Sequence, residues 1–243
     1  MKYLKRTLLA SLVLASLIIL VPHLRLAFTI GTGIGLNSLQ KQIEATQSRA
    51  INGKITQDDR EFLAMFYRTM AYGAQATFVL PESARLMHHY LDGSGAATSI
   101  NKSLYIESAR VIAKMNAIKT HLRANCENGT SLTSKRFDMG HGYPLDAHYS
   151  LYFGTISGTV IQKSGQKNIR WDVEMPWNWR TYADIKAIYG SYKREIFPFP
   201  NALSLMGLGE PMWLPNGLGG ELAKQNLAKA FDVNTSWTEY IKC

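Results

Sequence analysis

The chain has 243 residues, of which 46% are hydrophobic and 19% charged, and its formal net charge is +9. That length supports a sizeable core, and the composition excludes a collagen-like, low-complexity, disulfide-dense or multispanning protein. No GxSxG, HExxH, GxGxxG or paired CxxC motif is present, so no complete catalytic motif assigns an activity.

Met1 to Arg6 is a short basic lead, and Thr7 to Val21 is an uncharged apolar run stopped by Pro22, His23 and Arg25. This pattern is that of an export signal. As a helix, roughly 15 residues reach about 22 Å, short of the roughly 30 Å hydrocarbon core of a bilayer. No clean small-x-small cleavage site follows, because Arg25 sits two positions before Ala27. Residues 1–36 therefore read either as a signal peptide or as an uncleaved membrane anchor, lengthened by the apolar stretch Leu24–Leu36. Lys2, Lys5 and Arg6 keep the N-terminus in the cytoplasm and place the chain after about Asn37 outside it. The expectation is an inner-membrane protein with a periplasmic domain, or a secreted one if the segment is cleaved.

Removing Lys2, Lys5, Arg6 and Arg25 leaves 23 basic against 18 acidic side chains, an excess of +5. These basic residues are scattered and not interleaved with aromatics, so no nucleic-acid groove is indicated. The partners expected are the membrane, through the N-terminal segment, and a cell-envelope polymer or lipid. Cys126 and Cys243 fall in no metal-ligand spacing; outside the cytoplasm they form either one disulfide or two separate thiols.

From Leu36 to about Asn125 the period is helical. Leu39, Ile43 and Ala50 mark a first helix ended by Gly53. Thr56 to Asp59 is an N-cap with acids in the first turn of a second helix, with Phe62, Met65, Phe66, Thr69, Met70 and Gly73 on one face. Pro81 opens a third, running to Leu91 and stopped by Asp92-Gly-Ser-Gly95. A fourth covers Ile106 to about Arg123, with Ile112, Met115, Ile118 and Leu122 inward.

The period then changes. Tyr149, Leu151, Phe153 and Thr155 alternate, as do Ile169, Trp171, Val173 and Met175 against Arg170, Asp172 and Glu174, with Lys163–Lys167 between them: a β-hairpin with one core face. Pro176 is expected to end the second strand. Helix returns from Thr181 to about Lys193, Phe197 to Pro200 breaks it, and Gly219 to Phe231 reads as a final helix. The fold class expected is α+β: an N-terminal helical bundle packed on a small antiparallel hairpin or sheet, with C-terminal helices. Residues 37–243 read as one domain.

Candidate chemistry lies in three places. His88 and His89 precede Asp92-Gly-Ser-Gly95, but adjacent helical residues point about 100° apart, so only one imidazole can face a site. Asp138, His141, Asp146 and His148 gather in a Gly-rich loop suited to a metal or a proton relay, or simply solvated; no metal or cofactor is assigned. Asp172 and Glu174 emerge from one strand face about 6 to 7 Å apart, usable for paired-carboxylate hydrolysis, with Arg170 beside them as an ordinary charge partner. The catalytic candidates are therefore His89, Asp92, His148, Asp172 and Glu174. Trp171 reads as core, whereas Trp177 and Trp179 are surface binding candidates.

The helix ending His88-His89-Tyr-Leu-Asp-Gly-Ser-Gly95, followed by a Gly-rich hairpin and Trp171-Asp172 to Trp177-Asn178-Trp179, resembles the layout of C-terminal domains in bacterial secreted toxins and effectors. The resemblance covers about half of the exported chain, and Trp-Asn-Trp replaces the acid-aromatic run of the pattern. It implies an effector-like role on a cell-envelope component and transfers no catalytic residue. The other reading is a membrane-anchored accessory or binding protein without chemistry.

Overall fold

The computed structural model describes residues 26, 28–30, 32–76, 80–139, 151, 153–189, 196–199 and 212–243. The basic lead, the Thr7–Val21 run, the Gly140–Ser150 loop and the Phe197–Pro200 break in part lie outside them. Among the described residues no helix is long and apolar enough to cross a membrane. The fold is α+β. In chain order the elements are α1 (Leu36–Ile51), α2 (Gln57–Ala76), α3 (Pro81–Leu91), α4 (Lys102–Glu107), α5 (Ala109–Ala124), β1 (Ser131–Thr133), β2 (Phe137–Asp138), β3 (Phe153–Lys163) and β4 (Gln166–Trp177). Then follow α6 (Tyr182–Tyr189), β5 (Ile196–Phe199), β6 (Met212–Pro215), α7 (Asn216–Lys224) and β7 (Phe231–Tyr240). They divide into two units, one of residues 1–76 with 179–227 and one of residues 77–178 with 228–243.

In the first unit α1 buries Leu39, Ile43, Thr46 and Ala50, the 3.6-residue stripe expected. It ends in a Schellman motif: Gly53 adopts φ 66°, its N–H reaches the Ala50 carbonyl, and the Lys54 N–H reaches that of Arg49. Three residues on, Thr56 and Asp59 form a capping box. The Asp59 N–H donates to Thr56 Oγ1 (3.2 Å) and the Thr56 N–H to Asp59 Oδ2 (3.0 Å). The same carboxylate takes both arms of Arg49, at 2.8 and 2.5 Å, and the Thr46 hydroxyl at 3.2 Å, tying α1 to α2. On α2 the buried stripe is Phe62, Leu63, Phe66, Tyr67, Met70, Ala71 and Ala74. Met65 is only half-buried and Gly73 is exposed, a face rotated from the expected one because Leu63 and Tyr67 take the innermost places.

Elsewhere in this unit α6 starts on a second capping box, Thr181 with Asp184. Helix α7 packs on α6, α1 and α2. Its glycines permit the closeness: a Cβ at Gly217 would stand 2.5 Å from the Tyr182 ring, and one at Gly219 would overlap the Trp179 ring. The expected final helix is cut short at Lys224, and β7 follows where helix was expected up to Phe231.

The second unit is an antiparallel sheet in the order β1-β3-β4-β7, with β2 also on β3, and its helix α5 lies on β3 and β1. The β3–β4 hairpin turns at Ser164 (φ 50°) and Gly165 (φ 78°), the two-residue turn whose positive φ values match strand twist. On one face Ile156, Val160, Ile169, Trp171, Val173, Met175, Trp177, Phe231 and Val233 are buried. The strand runs through Pro176 to Trp177, not ending at the proline, because the Pro176 position needs no strand donor that would break the ladder to Phe231. Helix α5 turns Val111, Met115, Ile118 and Leu122 inward, while Ile112 is 39% exposed, so Val111 takes the place expected for Ile112. Ser108 splits the expected fourth helix in two: its hydroxyl caps α5 at the Val111 N–H and donates to the Met139 carbonyl (2.6 Å).

Gly158 sets the spacing of helix and sheet. A Cβ there would lie 2.8 Å from Ile118, 3.0 Å from Trp171 and 3.1 Å from Leu122. Gly158→Ala is expected to lower stability by about 1–3 kcal/mol in urea unfolding, despite the backbone entropy it saves. Arg49 holds the Asp59 carboxyl well below the usual carboxylate range, with the Thr56 hydrogen bonds adding to it against the opposing effect of burial. A depressed folded pKa stabilises above the unfolded value of about 4, and that contribution is lost as pH falls through it. The stability difference between wild type and Asp59→Asn is therefore expected to be full at pH 6 and to shrink as pH drops below about 4, in equilibrium unfolding at both ends.

Candidate functional site

The face of the sheet opposite α5 is built from residues of the other parity. Across the strands the register sets Ser131, Thr159, Arg170 and Thr238 in one row. Thr133, Ser157, Asp172 and Ser236 form the next, and Thr155, Glu174 and Asn234 a third. Side chains in β4 alternate between this face and the core, so Arg170 and Glu174 are exposed and Asp172 is half-buried between buried Trp171 and Val173. On β7 Asp232, Asn234, Ser236, Thr238 and Tyr240 are all exposed. Hydroxyls, amides and carboxylates thus cover this face, with donors and acceptors of both kinds.

Asp172 and Glu174 sit here as expected, two apart on one face. Asp172 Oδ2 accepts from Arg170 Nε at 2.9 Å, with both side chains substantially exposed. Such a pair in water is worth under about 1 kcal/mol.

His89 is elsewhere. Its ring stands edge-on to Phe231, with centroids 4.5 Å apart, and Nε2 lies 2.7 Å from the Ala96 carbonyl. Phe231 stacks on Trp177 on the core side of the sheet. His89 is therefore on the opposite side of the sheet from Asp172 and Glu174, and the three do not form one site. Asp92 is the exposed C-cap of α3, its N–H spent on the His88 carbonyl, and Gly93 (φ 69°) follows in the left-handed region: the turn ends a helix. Asp138 pairs with Arg110 at 3.3 Å. His141, Asp146 and His148 lie outside the described residues. Among the described residues no three His, Cys, Asp or Glu side chains come together as a metal site.

The two tryptophans expected at the surface are packing residues. Trp177 is 5% exposed, between Tyr90 (5.4 Å, edge-on) and Phe231 (5.3 Å, stacked). Trp179 is half-buried, edge-on to Tyr67 at 5.1 Å and seated on Gly219. Pro176 beside one, and the glycines of α7 beneath the other, are signals of close packing that the Trp-Asn-Trp spacing conceals. On the open face Tyr240 presents an exposed aromatic ring, 62% exposed.

Two buried tyrosines, Tyr105 and Tyr182, keep their protons near neutrality. Burial pushes Tyr105 up to about 12, against the opposing hydrogen bond from Thr235. Burial, then the Glu221 charge, raise Tyr182 well above the usual phenol range.

Cys126 and Cys243 are joined in a disulfide across 117 residues, with Cα atoms 5.9 Å apart. It ties the segment after α5 to the segment after β7, and Lys167 Nζ donates to the Cys126 carbonyl nearby (3.0 Å). No protein-family model, curated protein or solved structure matches this chain.

Closing so long a loop stabilises chiefly by restricting the unfolded chain. Cys126→Ser with Cys243→Ser is expected to lose about 2–4 kcal/mol in urea unfolding, matching wild type measured in reductant.

Proposed function

We propose that the chain after about Asn37 is an extracytoplasmic domain, held at the membrane by its N-terminal segment, which binds a neutral envelope glycan without chemistry of its own. The observation that carries this reading is the open sheet face, where rows of Ser, Thr and Asn side chains alternate with Asp172, Glu174 and Arg170. Sugar hydroxyls are donors and acceptors at once, and such a face meets them without any buried group left unpaired. Tyr240 offers an exposed ring for stacking on a sugar face.

Charge selects among envelope polymers. Asp172, Glu174 and Asp232 outnumber Arg170 and Lys163 on this face, so a neutral glycan suits it better than an anionic one, although the chain as a whole is basic. The disulfide and the export-type N-terminus support a location outside the cytoplasm. A hydrolytic, effector-like role has less support, since His89 and the two strand carboxylates lie on opposite faces of the sheet.

The test is sedimentation of the full chain, in mild detergent, with insoluble cell-wall glycan, alongside release of new reducing ends. Wild type is expected to co-sediment without releasing sugar. Ser157→Arg combined with Asn234→Arg is expected to weaken binding at least about tenfold with unchanged melting. Equal binding by that variant would discard the face as the site. Reducing ends released by wild type and not by Glu174→Gln would establish the hydrolytic reading instead.

A further inference from the structure

Strand β7 is the outermost strand on its side of the sheet, and the fold protects only the first half of it. The Ile241 N–H donates inward to the Lys167 carbonyl (3.2 Å), so odd-numbered residues turn their backbone groups to β4 and even-numbered ones turn theirs outward. At the start of the strand those outward groups are used. The Thr98 N–H donates to the Asp232 carbonyl (2.9 Å) and the Asn234 N–H to the Thr98 carbonyl (2.8 Å). The Thr235 hydroxyl then holds both the N–H and the carbonyl of Ile100, at 3.1 and 3.2 Å. Arg85 clamps this strap through the Thr98 hydroxyl and the Ser99 carbonyl.

Beyond Asn234 no strand among the described residues pairs with the outward groups of Ser236, Thr238 and Tyr240. Folded proteins blunt such edges with lysine, proline or a bulge. Here the register from Asn168↔Tyr240 to Trp177↔Phe231 is unbroken, and Ser236–Tyr240 holds neither lysine nor proline. Its single charge, Glu239, lies on the core side and pairs with Lys119. The edge is also flanked by exposed apolar surface: Tyr240 on the open face, and Ile106, 45% exposed, on α4, which packs on β7.

We propose that this edge pairs with the same edge of a second copy of the chain, antiparallel about a twofold axis near Thr238. An antiparallel strand pair is self-complementary, each copy supplying the donors that the other accepts. Beside this edge the open-face side chains of Ser236 and Thr238 are uncharged, and Glu239 on the core side is already paired with Lys119, so two copies of a basic protein can meet here without unpaired like charges. The pairing covers Tyr240 and Ile106 and joins two sheets edge to edge, setting their hydroxyl-rich faces side by side.

Light scattering of the full chain in mild detergent, across about 1–100 μM, tests this. Wild type is expected at dimer mass. Thr238→Pro removes an outward N–H and leaves every bond to β4 in place, and Thr238→Lys puts a charge on the edge; both are expected to raise the dissociation constant at least about tenfold with little change in melting. Under mild oxidation Thr238→Cys is expected to cross-link two chains, and Thr159→Cys, in the middle of the sheet, is not. Wild type at monomer mass throughout, which would include an edge reserved for a different protein, overturns the proposal. So does a dimer that persists in folded Thr238→Lys, which would place the contact elsewhere, in the N-terminal segment for example.

Discussion

The sheet unit depends on the close seating of α5 against β3 at Gly158. Without a side chain at that position, Ile118 and Leu122 reach the Trp171 ring across the strand, and this fully buried indole becomes the middle of the core. Trp171 then stacks toward Trp237, which stacks on Tyr105, so α4 and β7 are placed by the same cluster. A helix seated even one methyl group further out would leave these rings with gaps too small for water and no atoms to fill them. The polarity of the opposite face follows: once α5 takes one side of the sheet, strand alternation commits Arg170, Asp172 and Glu174 to the other.

The helices were legible in the sequence because local chemistry sets their ends. Gly53 closes α1, Thr56 with Asp59 opens α2, Pro81 opens α3 and Thr181 opens α6, each by groups within a few residues of one another. Helical faces were less legible. Choosing Val111 over Ile112, or Leu63 over Met65, depends on which neighbour arrives from far along the chain. The clearest omission was β7. Phe231, Val233, Thr235 and Trp237 alternate with Asp232, Asn234, Ser236 and Thr238 as plainly as β4 does, but the helical pattern of Gly219 to Leu222 stands close before them and masks the change of period.

The candidate site was legible only in part. The shared face of Asp172 and Glu174 follows from their spacing alone. That His89 falls on the far side of the sheet does not, since it depends on Phe231, a residue 142 positions later in the chain, stacking against Trp177. The hydroxyl rows are likewise invisible until four strands are set in register, each strand alone showing only scattered Ser and Thr. Aromatic residues misled for a related reason: Trp177 and Trp179 follow one another around a polar Asn178, a surface pattern locally, whereas the partners that bury them come from β7 and α7.

The interleaving of the two units has a consequence for biogenesis. Strand β4 is complete at Trp177, but its neighbour β7 begins only at Phe231, after the whole 179–227 segment of the other unit. A chain emerging N-terminus first therefore carries β4 as a temporary border, with its ladder groups and the Trp171–Trp177 face lacking their final cover. Neither unit can be excised with a single cut; the first is complete at Leu227, whereas the second waits for the residues from Ala228 to Cys243. The last strand to arrive thus completes the sheet of its own unit, and the Cys243 thiol that travels with it can seal that unit only once the strand has reached its place beside β4.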